Sequence, residues 1–329
     1  MTFRALVLDQ TDDAVTATVQ ELGTDALPDA DVTVAVEWSS LNYKDGMVLG
    51  GVGRLVRTFP HVPGVDLAGT VIASDSDRFA PGDRVVCTGF SVGERWWGGY
   101  AEQARVKSDW LVKVPDSLTT RQTMEIGTAG LTAMLCVDAL ERDGLRPDSG
   151  PVLCTGAAGG VGTYAVHVLA ELGYAVTAST GRPETEQYLR DIGATEVIGR
   201  AEIGDIPAKP LLSERWAGCV DAVGGATLAH VIAEMRYGGS VAACGNTAGN
   251  DLPASVLPFI LRSVRLLGVD SVVVPAAVRE VQWQRLGDLV DAEFLGAATS
   301  VVGLEDLPAA GAQILAGQVR GRVLVDTSR

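Results

Sequence analysis

Cysteine, histidine and lysine are all scarce in this sequence. Its 329 residues include 5 cysteines, 3 histidines and lysine at Lys44, Lys107, Lys113 and Lys209 only. The cysteines are Cys87, Cys136, Cys154, Cys219 and Cys244, an odd number with no two close together. That excludes both a disulfide framework legible from spacing and a paired-cysteine zinc motif. The opening run Phe3–Asp9 meets Asp9, Asp12 and Asp13 too early for a signal peptide. No uninterrupted apolar run reaches the ~18–20 residues of a membrane helix. A reduced cytoplasmic protein is expected. Positive charge is also short: 26 Lys and Arg against 41 Asp and Glu leave a net charge of −15. A surface of that sign argues against nucleic acid or an anionic membrane as main partner. It leaves room for a local basic pocket.

What is present is ordinary for a globular enzyme, with 47% hydrophobic and 20% charged residues. At ~100–200 residues per domain, the length allows two domains. The first 120 residues read as β-rich. Short β-branched runs at Phe3–Leu8, Val32–Val36, Gly69–Ala73, Asp83–Thr88 and Trp110–Val114 are divided by turn signals such as Pro81-Gly-Asp83. Helical spacing begins at Thr123–Leu140. Strands at 151–155, 175–179, 196–198, 216–222, 239–244 and 265–273 then alternate with helices at 161–172, 184–192 and 227–235. That alternation predicts a doubly wound parallel sheet. The tail, with helices at 275–291 and 307–316 and strands at 298–302 and 322–325, is expected to return to the first domain. The expected organisation is therefore an α/β protein: a β-rich domain over 1–122 and 275–329, and a Rossmann domain over 123–274.

The most informative local feature is Gly156-Ala-Ala-Gly-Gly-Val-Gly162, between a predicted strand and a predicted helix. A turn that tight needs residues with little or no Cβ, and the backbone N–H groups and helix N-terminus then face an anion. Ala158, Gly159, Gly160 and Val161 are the expected pyrophosphate contacts. The next strand ends Ser179-Thr-Gly-Arg182, with no acid where an NAD site usually places one for the ribose hydroxyl. Ser179, Thr180, Gly181 and the forked cation Arg182 suit a 2′-phosphate instead, which predicts NADPH. Arg200 can stack on adenine or add charge.

Trp38-Ser-Ser-Leu-Asn-Tyr-Lys-Asp45, His61-Val-Pro-Gly-Val-Asp-Leu-Ala-Gly69, Gly127-Thr-Ala-Gly130, the glycine loop and the order of the two domains resemble the medium-chain dehydrogenase/reductase superfamily. The resemblance implies a GroES-like first domain. Zinc members carry a Cys in the first of these segments and Gly-His-Glu in the second. This chain has Ser39-Ser40 and Gly64-Val-Asp66, and His61 is the only nearby histidine, so no zinc is expected. A narrower match runs through Arg95–Lys107, Gly127–Cys136, Tyr237–Gly245 and Pro258–Ser271. It is similar to the acrylyl-CoA reductase branch, whose members are also described as quinone-oxidoreductase-like.

That resemblance implies NADPH-dependent reduction of acryloyl-CoA to propionyl-CoA. Hydride goes to the β-carbon, a proton to the α-carbon, and the enolate oxygen needs hydrogen-bond donors. Asn42 and Tyr43 then fall where the family faces the nicotinamide: Asn42 as a donor, Tyr43 as a cofactor contact or acid. Lys44 and Asp45 are expected to pair. Thr128, Asn246, Leu252, Ile260 and Ser271 fall on stretches that border the nicotinamide half. Trp96 and Trp97 can wall a cleft or pack in the core, and Arg320 and Arg322 are candidates for CoA phosphates. The apolar stretch Leu266–Val274 reads as an edge strand, so a homodimer is expected. The competing readings are a quinone or general enone reductase and a non-catalytic, crystallin-like dinucleotide binder.

Overall fold

The computed structural model describes residues 1–12 and 14–329; Asp13 lies outside them. The chain opens with an antiparallel pair, β1 (Thr2–Thr11) and β2 (Ala14–Gly23), in register through Leu6 and Val19. There follow β3 (Val32–Leu41), α1 (Tyr43–Leu49), β4 (Asp66–Ser74), β5 (Arg84–Thr88), β6 (Gln103–Val106) and β7 (Leu111–Lys113). Val32, Val34, Leu67, Val71, Val85 and Leu111 form a buried cluster from the inward faces of these strands. The period-2 alternation of β3 and β4 produces that one-sided burial.

A long helix, α2 (Thr120–Arg142), ends the β-rich stretch. It breaks at Gly127, whose φ of 54° and ψ of −161° are not helical. By length and composition α2 passes for a membrane span, yet 83% of that window is buried within the fold.

The second compact unit comprises Ala129–Asp270. After α2 it contains β8 (Val152–Cys154), α3 (Gly160–Glu171), β9 (Val176–Thr180), α4 (Glu186–Asp191), β10 (Glu196–Gly199), β11 (Trp216–Asp221), α5 (Gly225–Glu234), β12 (Met235–Ala243), α6 (Leu257–Arg262) and β13 (Arg265–Gly268). The six strands are parallel, in the order β10-β9-β8-β11-β12-β13. β8, β9 and β11 are buried along their whole length, as expected of strands covered on both faces. The strand order reverses between β8 and β11, and such a switch point is where open α/β sheets bind ligands.

The first unit, Met1–Thr128, is completed by Ser271–Arg329. This return holds α7 (Ala276–Leu289), α8 (Ala292–Ala298), β14 (Thr299–Gly303), α9 (Leu307–Leu315) and β15 (Arg322–Asp326). β15 pairs antiparallel with β3, giving the sheet order β14-β15-β3-β4-β5-β7, with β6 on β3. The strand expected over 265–273 is shorter. Val269 still donates to Ala243, but Ser271 and Val272 turn their carbonyls to Arg279 instead.

Candidate active site

In the second unit, β8 runs into the glycine loop. Gly156 adopts φ 59°, and Gly159 caps α3, which begins at Gly160. Ala157 donates to the Ser179 carbonyl at 3.1 Å, closing the loop on β9. A Cβ on Gly162 would collide with the Gly156 carbonyl and Ala157 Cα, so close approach of helix and loop requires glycine there. The first-turn N–H groups of α3 have no partners inside their own helix and point past Ala158–Val161. Beneath them the strand ends are tied by Asp221, which accepts from the Thr155 hydroxyl at 2.6 Å and the Gly224 N–H at 2.8 Å. Burial raises the Asp221 pKa from its ordinary value, against the hydrogen bonds it accepts.

The end of β9 lies against this loop. Arg182 Nη2 donates to the Ala158 carbonyl at 3.0 Å, and the Arg182 N–H donates to Thr180 Oγ1 at 3.1 Å. The Arg200 guanidinium covers Gly181 so closely that a Cβ would strike it. Ser179, Thr180, Gly181, Arg182 and Arg200 therefore gather beside Ala158, Gly159, Gly160 and Val161. Two cations, hydroxyls and a helix N-terminus in one place can hold a dinucleotide carrying an extra phosphate. Asn246 is exposed and donates to Asn250 at 2.7 Å. Leu252 and Ile260 are exposed side chains of the same unit, at 40% and 67%. Ser271 belongs to the first unit.

The first unit buries a dense polar cluster at the start of α1. Asp66 accepts from the Ser40 hydroxyl at 2.5 Å, the Asn42 amide at 2.9 Å, and both the N–H and hydroxyl of Thr128. Arg322 donates to Ser40 Oγ at 2.7 Å, Asn42 Oδ1 at 2.9 Å and the Glu125 carbonyl, and its Nη2 lies 3.7 Å from Asp66. Asp45 accepts from the N–H groups of Asn42 and Val65, each at 2.9 Å. Burial, and then the charge of Asp66, push the Asp45 pKa up to about 7. Gly127 turns α2 into this cluster; a Cβ there would meet Arg322, Asp66 and Ser40.

This geometry revises several expectations. Both hydrogens of the Asn42 amide go to carboxylates, Asp66 and more weakly Asp45 at 3.3 Å, so Asn42 has none to offer a substrate. Thr128 gives its hydroxyl proton to Asp66, so a ligand would meet that oxygen as an acceptor. Lys44 pairs with Glu94 at 3.2 Å and not with Asp45. Arg322 is 2% exposed, too buried for CoA phosphates. Trp96 packs edge-on against Trp110 in the β3–β7 core, and Trp97 packs beneath β1. Tyr43, by contrast, opens α1 with its side chain 42% exposed. The Asp66–Arg322 pair was missed because its partners are 256 positions apart, and only the β3–β15 pairing brings them together.

The zinc-ligand segments offer a poor donor set. Ser39 donates to the Asp66 carbonyl, Ser40 is taken as above, and Val65 is apolar. His61 is buried with Nε2 unpartnered, and burial lowers its pKa. Among the described residues, no group of three or more His, Cys, Asp or Glu is placed to hold a metal.

Comparison with known proteins agrees with the architecture. Residues 28–116 match the alcohol dehydrogenase GroES-like domain, and residues 160–286 match the family described as zinc-binding dehydrogenase. The acrylyl-CoA reductase AcuI of Ruegeria pomeroyi is 55% identical over 328 residues, covering 99% of both chains. The YhdH oxidoreductase of Salmonella enterica, solved in complex with NADP, is 50% identical with a TM-score of 0.96, covering 98% of this chain and 99% of that one. The Bacillus subtilis protein YhfP, solved with NAD bound, is 44% identical with a TM-score of 0.95 over 99% of both chains. The chain therefore belongs to the medium-chain dehydrogenase/reductase superfamily and, within it, to the acrylyl-CoA reductase family.

Proposed function

We propose that this protein reduces acryloyl-CoA to propionyl-CoA with NADPH, placing hydride on the β-carbon and a proton on the α-carbon. The observation that carries this reading is the 55% identity, over nearly the whole of both chains, to a named acrylyl-CoA reductase. The residues fit the cofactor. The N-terminus of α3 and Ala158–Val161 would take the pyrophosphate, and Ser179–Arg182 with Arg200 the 2′-phosphate. Thr128, Asn246, Leu252, Ile260 and Ser271 are assigned to the nicotinamide half. NADPH, when bound, supplies the hydride.

The chain's own part is orientation and charge stabilisation. The Asp45, Asp66 and Arg322 network fixes the first turn of α1, so the exposed Tyr43 starts from an anchored backbone. A phenol there can donate to the thioester oxygen as enolate charge develops on it. Asn42 serves as a positioning residue, since its amide is spent on the network. The stretch Gly50–Leu55 contains no tyrosine, and water is assigned as the source of the α-proton. We take the enzyme to work without zinc, on the donor set of Ser39, Ser40 and Val65. We also place it in the cytoplasm as a homodimer, with neither nucleic acid nor membrane as partner.

Steady-state kinetics test the substrate. The expected order of kcat/KM is acryloyl-CoA, then crotonyl-CoA, then free acrylate, because the CoA tail supplies binding energy that orients the short acyl group. Free acrylate or a simple quinone turning over as well as acryloyl-CoA would overturn the assignment.

A further inference from the structure

An acyl-CoA is polyanionic, and this chain carries a net charge of −15. The substrate's phosphates therefore need cations that the fold has not already neutralised. Along the first unit, nearly every basic side chain between Arg4 and Arg121 is held by a carboxylate, a carbonyl, a hydroxyl or an aromatic ring. Three are not. Arg54, Arg57 and Arg95 are exposed and, among the described residues, have no hydrogen-bond, ion-pair or ring partner.

All three are tied to α1 by their place in the chain. Arg54 and Arg57 lie in the stretch that leaves the end of α1, and Arg95 lies beside Glu94, which Lys44 of α1 binds at 3.2 Å. The stretch folds back toward the helix: a Cβ on Gly53 would sit 3.3 Å from Met47 Cε. Gly51, Gly53 and Arg54 all adopt left-handed conformations, at φ 65°, 75° and 50°. For arginine that conformation is unfavourable. Tyr43 is the first residue of α1, whose seven residues span roughly 10 Å, and Arg54 and Arg57 follow its far end in sequence. An acyl-CoA likewise carries its nucleotide phosphates a pantetheine arm away from the reacting thioester. The Lys44–Glu94 pair offsets the carboxylate that precedes Arg95 in sequence.

We propose that Arg54, Arg57 and Arg95 form the site that grips the phosphates of the CoA moiety. This rests on the acyl-CoA reading above and extends it to how the substrate is held. Guanidinium forks match phosphate oxygens in pairs. Their pull, exposed as they are, is screened by salt.

The test compares the wild type with Arg54→Ala/Arg57→Ala/Arg95→Ala. A control, Arg142→Ala/Arg190→Ala/Arg215→Ala, removes the same charge from the second unit. Calorimetric titration with coenzyme A alone should show its Kd raised about tenfold in the first variant, the scale of one charged hydrogen bond, and unmoved in the control. The ratio of kcat/KM for acryloyl-CoA to that for acryloyl-N-acetylcysteamine should fall by a similar factor. A CoA Kd unchanged in the first variant would overturn the proposal, as would an equal rise in the NADPH Kd or an equal loss in the control. If the wild type reduces neither thioester, the functional reading fails, while the CoA titration still decides the site.

Discussion

Arg182 is where cofactor choice is expected to be read out. Its Nη2 is anchored on the Ala158 carbonyl, at the edge of the glycine loop, and the strand end beside it bears no acid. Arg182→Ala should weaken NADPH by about tenfold or more while changing NADH little, since a charged hydrogen bond to phosphate contributes roughly 1.5–3 kcal/mol. Fluorescence titration with both cofactors checks this, and equal losses would refute it. Asp45 supports a different expectation. An ordinary aspartate titrates near ~3.9, but in this fold Asp45 is pushed up to about 7. Between those values the folded protein keeps a proton that the unfolded chain has released. The contribution is fully present below the lower value and is lost as pH rises through the upper one. The melting temperature of the wild type should therefore fall more between pH 4 and pH 8 than that of Asp45→Asn, measured by scanning calorimetry. Parallel declines would show that Asp45 does not titrate in that window.

At the scale of elements, Gly162 holds α3 against the loop that precedes it. Its φ is unremarkable, and the constraint is room: a methyl group would meet the Gly156 carbonyl and Ala157 Cα. Gly162→Ala should push the α3 N-terminus off its position, lowering the melting temperature and weakening both nicotinamide cofactors alike. That pattern separates it from Arg182→Ala, and unchanged NADPH binding would show that the loop tolerates the shift. This motif was legible in the sequence because turn, strand and helix are neighbours along the chain, and a local steric rule is enough to find it. β2 was not legible. Its residues are all half-exposed or exposed and its strand pairing is with β1 alone, so its apolar face is weakly written. β6 is only four residues long, and just two residues separate α8 from the end of α7, so its N-cap Asp291, which accepts from the Phe294 N–H at 2.8 Å, reads in sequence as the end of one continuous helix. The Ser40, Asp66 and Arg322 cluster was illegible for another reason. Each side chain taken singly reads as an ordinary polar residue, and its partners come from β3, β4, the break in α2 and β15. Tyr43 could be picked out, whereas the donors of Asn42 could be judged only once both carboxylates were in place.

For the whole molecule, the outstanding question is what covers the β13 edge of the parallel sheet. β13 pairs on one side with β12 and ends the sheet on the other. Around it the chain leaves large apolar side chains in the open: Val256, Ile260 and Leu261 on or beside α6, Leu266 within β13, and Val273 beyond it. An edge with unpaired backbone groups and apolar neighbours is an association hazard. The opposite edge, β10, is different: it carries the exposed Glu196, and its Ile198 is buried. A two-fold axis beside β13 would pair that strand with its own copy and cover both apolar patches at once, an isologous contact that closes and does not propagate. Light scattering at micromolar concentration should therefore give about twice the 34.3 kDa chain mass. Leu267→Pro would remove a ladder donor, but it also threatens the β12 pairing, so Leu266→Lys with Leu261→Lys is the cleaner substitution at these exposed positions. That double variant should run at the single-chain mass with the melting profile of a folded protein. A wild type of single-chain mass would leave the apolar patch without this explanation. A double variant that stays dimeric would place the two-fold contact on another face.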